Sequence, residues 1–438
     1  MRLILNFFDN IYNRKRYLTI FIFSLSVICS LIFLSFFSKM GPSQHQLPGS
    51  DYLEYYQPVA NSILQGKGIP VKEGLGIRYP PGYPIILSII FGLSKLIEIN
   101  ELQLIVIFNI IITAATACFL FLIAKSIFNK KIAIIASILW LSYPFNLWFI
   151  KNPNTEIPFM LLLYAGIWLY ISALKKRRFG FILFSGIILG FASLIRPVSL
   201  LFPFLLALLT IFLLKENPKR IYFLLALVLL IGSFMAIFPW EAYVFSATKQ
   251  LIPLSKGGSP AVIDGLTFAL TTGAEGDKVT VPGDVLALME RARNADLDTG
   301  TKILQFCTRE LMEKPTTFLK LLGLKLTRSW YATSQMWWEG KILMVQLLYL
   351  LTGLTGLIYV IKVNKNKIRW IIFLLSIVLY FWAMTVSVHS VLRYMVPAMG
   401  LVIIFSAITV SVILDKLLKK FKFLNYDVQN FNNHSLSE

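Results

Sequence analysis

The chain has 438 residues, of which 57% are hydrophobic and only 15% charged, against about 25% charged in an ordinary soluble domain. Apolar runs of roughly 18 or more residues recur along most of it, each long enough to span a bilayer. This excludes a soluble globular fold and predicts an all-α polytopic membrane protein. The net charge of +20 sits in short loops between apolar runs, which marks topology signals and anionic-lipid contacts rather than a nucleic-acid surface.

The alternating short segments of a β-barrel do not occur. The three cysteines are scattered, Cys29 and Cys118 in apolar runs and Cys307 in a polar region. No CxxC or Cys/His cluster exists, so neither a zinc site nor a disulfide framework is expected. Arg14, Lys15 and Arg16 precede the first apolar run, Tyr17 to Phe37. That run is long for a signal peptide and lacks a small-residue cleavage end, so it reads as an uncleaved anchor with the N-terminus inside.

The stretch GSDYLEYYQ, Gly49 to Gln57, follows. From Tyr52 it reads as an amphipathic helix, with Tyr52, Tyr55, Tyr56, Val59 and Ile63 on one face and Asp51, Glu54, Asn61 and Gln65 on the other. Tyrosines at such a stripe suit the headgroup boundary. D-x-x-E also matches a capping box, which would make Asp51 and Glu54 purely structural.

Pro81 to Ile99 is apolar enough to be read as a span. If it crossed, every later basic loop would fall outside: Lys125, Lys130 and Lys131, then Lys175 to Arg178, and so on. If it stays along the outer interface, those loops fall inside with Lys215, Lys219, Arg220, Lys362, Lys365, Lys367, Arg369, Lys416, Lys419 and Lys420. The second arrangement satisfies all of them. It gives about ten spans, near 17–37, 102–124, 132–150, 157–174, 179–195, 198–214, 221–240, 342–361, 370–388 and 395–414. The pair around Arg196-Pro197 is short.

The expected parts are a module of residues 1–240 holding a first outer loop (38–101), an extracytoplasmic lobe (241–341), C-terminal spans (342–420) and a polar cytoplasmic tail (421–438). SKGGSP, TTGAEGD and ADLDTG in the lobe are turn-rich. Outer helix ends carry isolated ions: Arg78 in RYPPGYP, Lys151 and Glu156 in KNPNTE, Arg196 in LIRPVSLLFP and Arg393 in HSVLRYMVP. Lone ions at a membrane boundary are costly unless paired or used. Together they suggest one outer cleft, although each arginine alone also fits a snorkelling ion.

GSDYLEYYQPVANSILQGKGIP followed by RYPPGYPIIL resembles the first outer loop of the GT-C superfamily of lipid-dependent glycosyltransferases. In particular it resembles the bacterial relatives of protein O-mannosyltransferases and aminoarabinose transferases. NTEIPFMLLLY, LIRPVSLLFP, FPWEAYVFS with LIPLSKGG, and LRYMVPAMG match in order. The chain departs from the pattern at Glu241-Ala242, where many relatives carry Arg-Asn, and at Tyr52, where many carry a second acidic residue.

The resemblance implies an inverting transfer from a polyprenyl-phosphate-sugar lipid to a hydroxyl-bearing glycan, lipid or protein, at the outer face of the plasma membrane. In that scheme Asp51 is the general base, with Glu54 and Glu156 completing the catalytic carboxylates. Arg78, Arg393 and Arg196 bind the donor phosphate, for which guanidinium offers paired hydrogen bonds. Tyr55, Tyr79 and Tyr83 are candidates for stacking on sugar, with interfacial anchoring as the alternative. No metal site is assigned, although a divalent cation shared by Asp51 and Glu156 is a competing arrangement. The rival functions are a lipid or solute transporter or flippase, and an inactive binding protein of the same fold.

Overall fold

A computed structural model describes residues 15–37, 49–176, 178–213, 219–270, 281–334, 336 and 338–434. Arg14, Arg177, Lys215 and the TTGAEGD stretch lie outside the described residues. Among those described, the structure is helical, without strands. α1 (Lys15–Phe37) is followed by a π-turn (Tyr52–Tyr56) running into α2 (Gln57–Leu64), then α3 (Gly82–Ile97) and α4 (Glu101–Ile127). α5 (Lys130–Leu141) and the one-turn α6 (Pro144–Leu147) precede α7 (Glu156–Lys176), α8 (Phe179–Ile195), α9 (Phe202–Leu213) and α10 (Lys219–Thr248). The polar lobe holds α11 (Gly258–Leu266), α12 (Gly283–Asn294), α13 (Gly300–Glu313) and α14 (Pro315–Arg328). Three long helices close the chain: α15 (Glu339–Val363), α16 (Ile368–Ser387) and α17 (Leu392–His434).

Local chemistry sets several of these boundaries. Asn100, Asn129 and Asn154 accept from the amides of Leu102, Ile132 and Ile157 (2.9, 2.9 and 3.2 Å), capping α4, α5 and α7. Pro144 has no amide hydrogen to continue α5, and the chain bends by 57° there. Pro197 disfavours a helical residue before it, so α8 stops and Arg196 is extended, at φ −137° and ψ 115°.

Among the described residues, seven helices are long and apolar enough to cross a membrane, or eight if the bent α5–α6 pair counts as one span; α3, α8 and the segment Pro197–Phe212 are shorter apolar helices. The expected set of about ten spans is therefore met in length by seven or eight. The tail expected after residue 420 is helical as far as His434.

The helices have two chemically distinct ends. At one, Lys131 pairs with Asp415 (2.5 Å), Lys367 donates to the Phe128 carbonyl (3.3 Å), and Lys175 binds the Ser126 carbonyl. The loops carrying Lys131, Lys175 and Lys367 thus lie together at one end. The other end holds Asp51, Glu156, Arg196 and Arg393. α3 starts there, since a Cβ on Gly82 would lie 2.7 Å from the Leu194 carbonyl at the end of α8. It finishes just before α4, which then runs the full length to Lys125 at the basic end. Both ends of α3 therefore lie toward the same side, as the second topology expects.

Close backbone approach holds the middle together. A Cβ on Gly186 of α8 would run into the Leu229 carbonyl of α10, a small-residue contact typical of membrane helices. The lobe has its own core, around Val285, Leu288, Met289, Phe318 and Leu321. Arg328 of α14 clamps Glu339 of α15 through two bonds of 2.8 and 2.9 Å, which ties the lobe to the bundle.

Candidate active site

The first-loop helix starts irregularly. The Gly49 carbonyl accepts from the amides of Tyr52 and Leu53 (3.0 and 3.3 Å), and the next turn is wound as a π-helix. Such turns are often found at functional sites. Asp51 makes no capping bond with its side chain, so the capping box is not formed. Its Oδ1 instead accepts from the Tyr79 hydroxyl at 2.8 Å. Burial, and then the Asp51 charge, push the Tyr79 phenol up, so it stays protonated and can donate.

Tyr79 is held by neighbouring rings. Tyr55 meets it edge-on at 5.5 Å and Tyr56 is tilted against it at 5.0 Å. Tyr56 in turn meets Tyr83 edge-on at 5.1 Å. The Arg78 guanidinium lies 5.5 Å from the centre of the Tyr55 ring, and its Nε is buried without a hydrogen-bond partner. The two prolines after Tyr79 stiffen the turn, and Gly82 lets it lean on the end of α8 next to Arg196.

Several expectations change here. Tyr52 and Tyr56, read as headgroup anchors, are 3% and 9% exposed and belong to the protein core. The first-loop helix packs on α3, so protein and not lipid covers its apolar face. Tyr83 is 1% exposed and leaves no ring face open to a sugar. Glu54 is exposed and has no hydrogen bond or ion pair among the described residues; its spacing from Asp51 turns it away on the π-wound turn.

A second cluster forms where three distant segments meet. Glu156, fully buried at the start of α7, pairs with Arg196 Nη1 (2.5 Å) and with Arg393 Nε. Thr155 Oγ1 also accepts from Arg196 (3.1 Å). Arg196 is buried, 4.9 Å from the Tyr394 ring and 5.9 Å from that of Phe159. The Arg393 side chain is 41% exposed, so it alone of the three is open to a ligand. One carboxylate between two guanidiniums leaves a net charge of +1. The charges of Asp51, Arg393 and Arg196 all act on the buried Tyr56 phenol, which links the two clusters. Burial is the largest cause pushing that phenol up.

Of the expected residues, Asp51, Tyr55, Tyr79 and Arg78 form the first cluster, and Glu156, Arg196 and Arg393 the second. Lys151 stacks on Trp148 at 3.6 Å instead. Asp264 of α11 was not anticipated, yet it interacts electrostatically with Arg78 and Asp51. The stretch SPAVIDGL carries no motif that could have signalled it. The fit to a divalent cation is poor, because Glu156 is engaged by two arginines and Asp51 alone is too thin a ligand set. Among the described residues no three His, Cys, Asp or Glu side chains converge.

Comparison with known proteins puts this geometry in context. Residues 79–240 match the family described as dolichyl-phosphate-mannose-protein mannosyltransferase. No curated protein matches in sequence. Among solved structures, the oligosaccharyltransferase AglB of Archaeoglobus fulgidus, in complex with an inhibitory peptide and a dolichol-phosphate, superposes with a TM-score of 0.57 at 16% identity. The match covers 94% of this chain and 52% of that one. The apo form of the A. fulgidus oligosaccharyltransferase gives 0.57 at 13% identity, with the same coverage. ArnT from Cupriavidus metallidurans bound to undecaprenyl phosphate gives 0.43 at 13% identity, over 90% and 77% of the two chains. The chain spans about half the length of the archaeal enzymes it resembles. Its fold is that of the archaeal oligosaccharyltransferase AglB, and residues 79–240 match the dolichyl-phosphate-mannose-protein mannosyltransferase family model.

Proposed function

We propose that the protein is a membrane glycosyltransferase that moves a sugar from a polyprenyl-phosphate-linked donor to an acceptor hydroxyl, inverting the anomeric centre. The observation that carries this reading is the pairing, at one end of the bundle, of an oriented carboxylate with a cationic cluster open through Arg393. The family match over residues 79–240 and the dolichol-phosphate in the AglB complex supply the chemical class of the donor.

Tyr79 occupies Asp51 Oδ1, which leaves Oδ2 to take the proton of the acceptor hydroxyl. The acceptor oxygen bonds to the anomeric carbon from the face opposite the phosphate. The anomeric C–O bond breaks, and its electron pair goes to the phosphate oxygen. The polyprenyl phosphate leaves with that charge, which Arg393 receives; Glu156 holds Arg393 in place and is itself fixed by Arg196. Preorganised positive charge at a leaving oxygen can supply a large part of catalysis. No step calls for a metal.

The donor's isoprenoid tail stays in lipid and its phosphate at the boundary, so the site end is read as the extracytoplasmic face of the plasma membrane. The acceptor is a glycan, lipid or protein bearing a hydroxyl. The test is sugar transfer by the purified chain from synthetic polyprenyl-phosphate donors. Asp51→Asn should lower kcat by about 10²–10⁴-fold with the melting temperature unchanged. Undiminished transfer by that variant would remove Asp51 as the base, and no transfer by the native chain from any donor would remove the reading.

A further inference from the structure

α11 bridges the two clusters. At its start, the Lys256 amide donates to the Ile77 carbonyl (2.8 Å). A Cβ on Gly257 would lie 2.7 Å from the Arg78 carbonyl and 3.5 Å from the Tyr79 ring. This end is therefore seated on the turn that carries Tyr79 to Asp51. At the other end, Gly265 is packed so tightly on the Val388 carbonyl that no side chain fits. The same carbonyl accepts from Lys325 Nζ of α14 (3.0 Å). Val388 opens the loop that leads into Arg393. The helix thus reaches from the Asp51 cluster to the Arg393 loop.

Asp264 stands on this bridge beside Gly265. Its side chain is exposed, and it has no hydrogen bond or ion pair among the described residues. Arg78 and Asp51 both act on its charge, and partial enclosure raises its carboxyl above the ordinary range. An acid with no structural partner, on a segment docked this closely, has no evident role in stability. Within the proposed reaction, the transferred ring must lie between the base and the phosphate. α11 runs from the turn beside Asp51 to the loop that leads into Arg393. A carboxylate offers two acceptor oxygens, and neighbouring ring hydroxyls can donate to both at once.

We propose that Asp264, carried by α11 across the cleft, accepts hydrogen bonds from hydroxyls of the donor's carbohydrate and thereby sets which sugar is taken. This rests on the donor chemistry proposed above and adds the residue that reads the sugar. It makes Asp264 a binding residue, distinct from Asp51 as the proton acceptor. It also gives the polar lobe a part in selection, because the lobe's first helix carries the reader.

The test is equilibrium binding by the full chain in detergent, without turnover. The probes are bare dolichyl phosphate and dolichyl phosphate bearing mannose or glucose. The native protein should bind at least one glycosylated probe about 10-fold more tightly than the bare lipid, as charge-assisted hydrogen bonds imply. Asp264→Asn and Asp264→Ala should lose most of that difference, and their affinity for the bare lipid should stay within about twofold of native. Melting temperatures show that both variants fold, and either one alone suffices. A sugar preference kept by the variants, or missing from the native chain, overturns the role of Asp264 and leaves the lipid-phosphate reading standing. A native chain that binds none of the probes overturns the donor reading and this inference with it.

Discussion

Glu156 shows how a single side chain can organise a site. It is fully buried, yet it holds two guanidiniums drawn from segments far apart in sequence. Removing one partner of a buried ion group leaves the others uncompensated, at a cost of about 3–5 kcal/mol. Glu156→Gln should therefore lower the thermal midpoint in detergent by several degrees and weaken phosphate-lipid binding, read by differential scanning fluorimetry with and without dolichyl phosphate. A variant with native stability would show that the trio contributes nothing to holding the fold together. Glu156, Arg196 and Arg393 were visible in the sequence because isolated ions next to apolar runs need a reason. Their mutual pairing was not, because nothing local connects residues so distant in the chain. Asp51 and Glu54 were indistinguishable by spacing, and only the π-wound turn separates one that meets Tyr79 from one that faces solvent. Asp264 left no trace, since one acid in a polar segment is the usual case.

At the level of elements, hydropathy read the long helices well and the junctions poorly. The first-loop helix was legible as amphipathic, but the partner for its apolar face was not: α3 covers it where lipid was expected. The break in α5 follows from Pro144, whereas the extended Arg196 needed Pro197 to be read as a stop and not as part of a continuous span. The loop between α16 and α17 makes a separate expectation. Burial, and then the charges of Lys325, Arg393 and Arg328, push His389 down to about 4. In an unfolded chain the same group titrates near 6.5, so between those values the unfolded state binds the extra proton. The stability tied to neutral His389 is thus complete above about pH 6.5 and lost as pH falls toward 4. Melting curves from pH 7.5 to 4 should show this loss, and His389→Gln should flatten part of the slope. An unchanged slope would show that His389 is not the group titrating.

For the whole molecule, positive charge in short loops proved the most informative signal. It assigned α3 to one side before any contact was known, and the lysine contacts at 126, 128 and 415 gather those loops at one end. Span number was less legible, because α8 and α9 are too short to be told from hairpins by composition. Which end faces the cytoplasm can be tested directly. In a version lacking Cys29, Cys118 and Cys307, cysteines at Asn129 and Lys176 should resist a membrane-impermeant maleimide in intact cells, and one at Gln250 should react. Labelling at Asn129 would invert the proposed orientation. The trio around Glu156 has one more consequence, in the stoichiometry of the carrier. Its surplus is a single unit of positive charge, which balances the lone negative charge of a phosphodiester. A pyrophosphate-linked carrier brings a second unit that these three residues leave without a counterion. Given equal concentrations of the two lipids, the protein should consume the monophosphate form and spare the diphosphate.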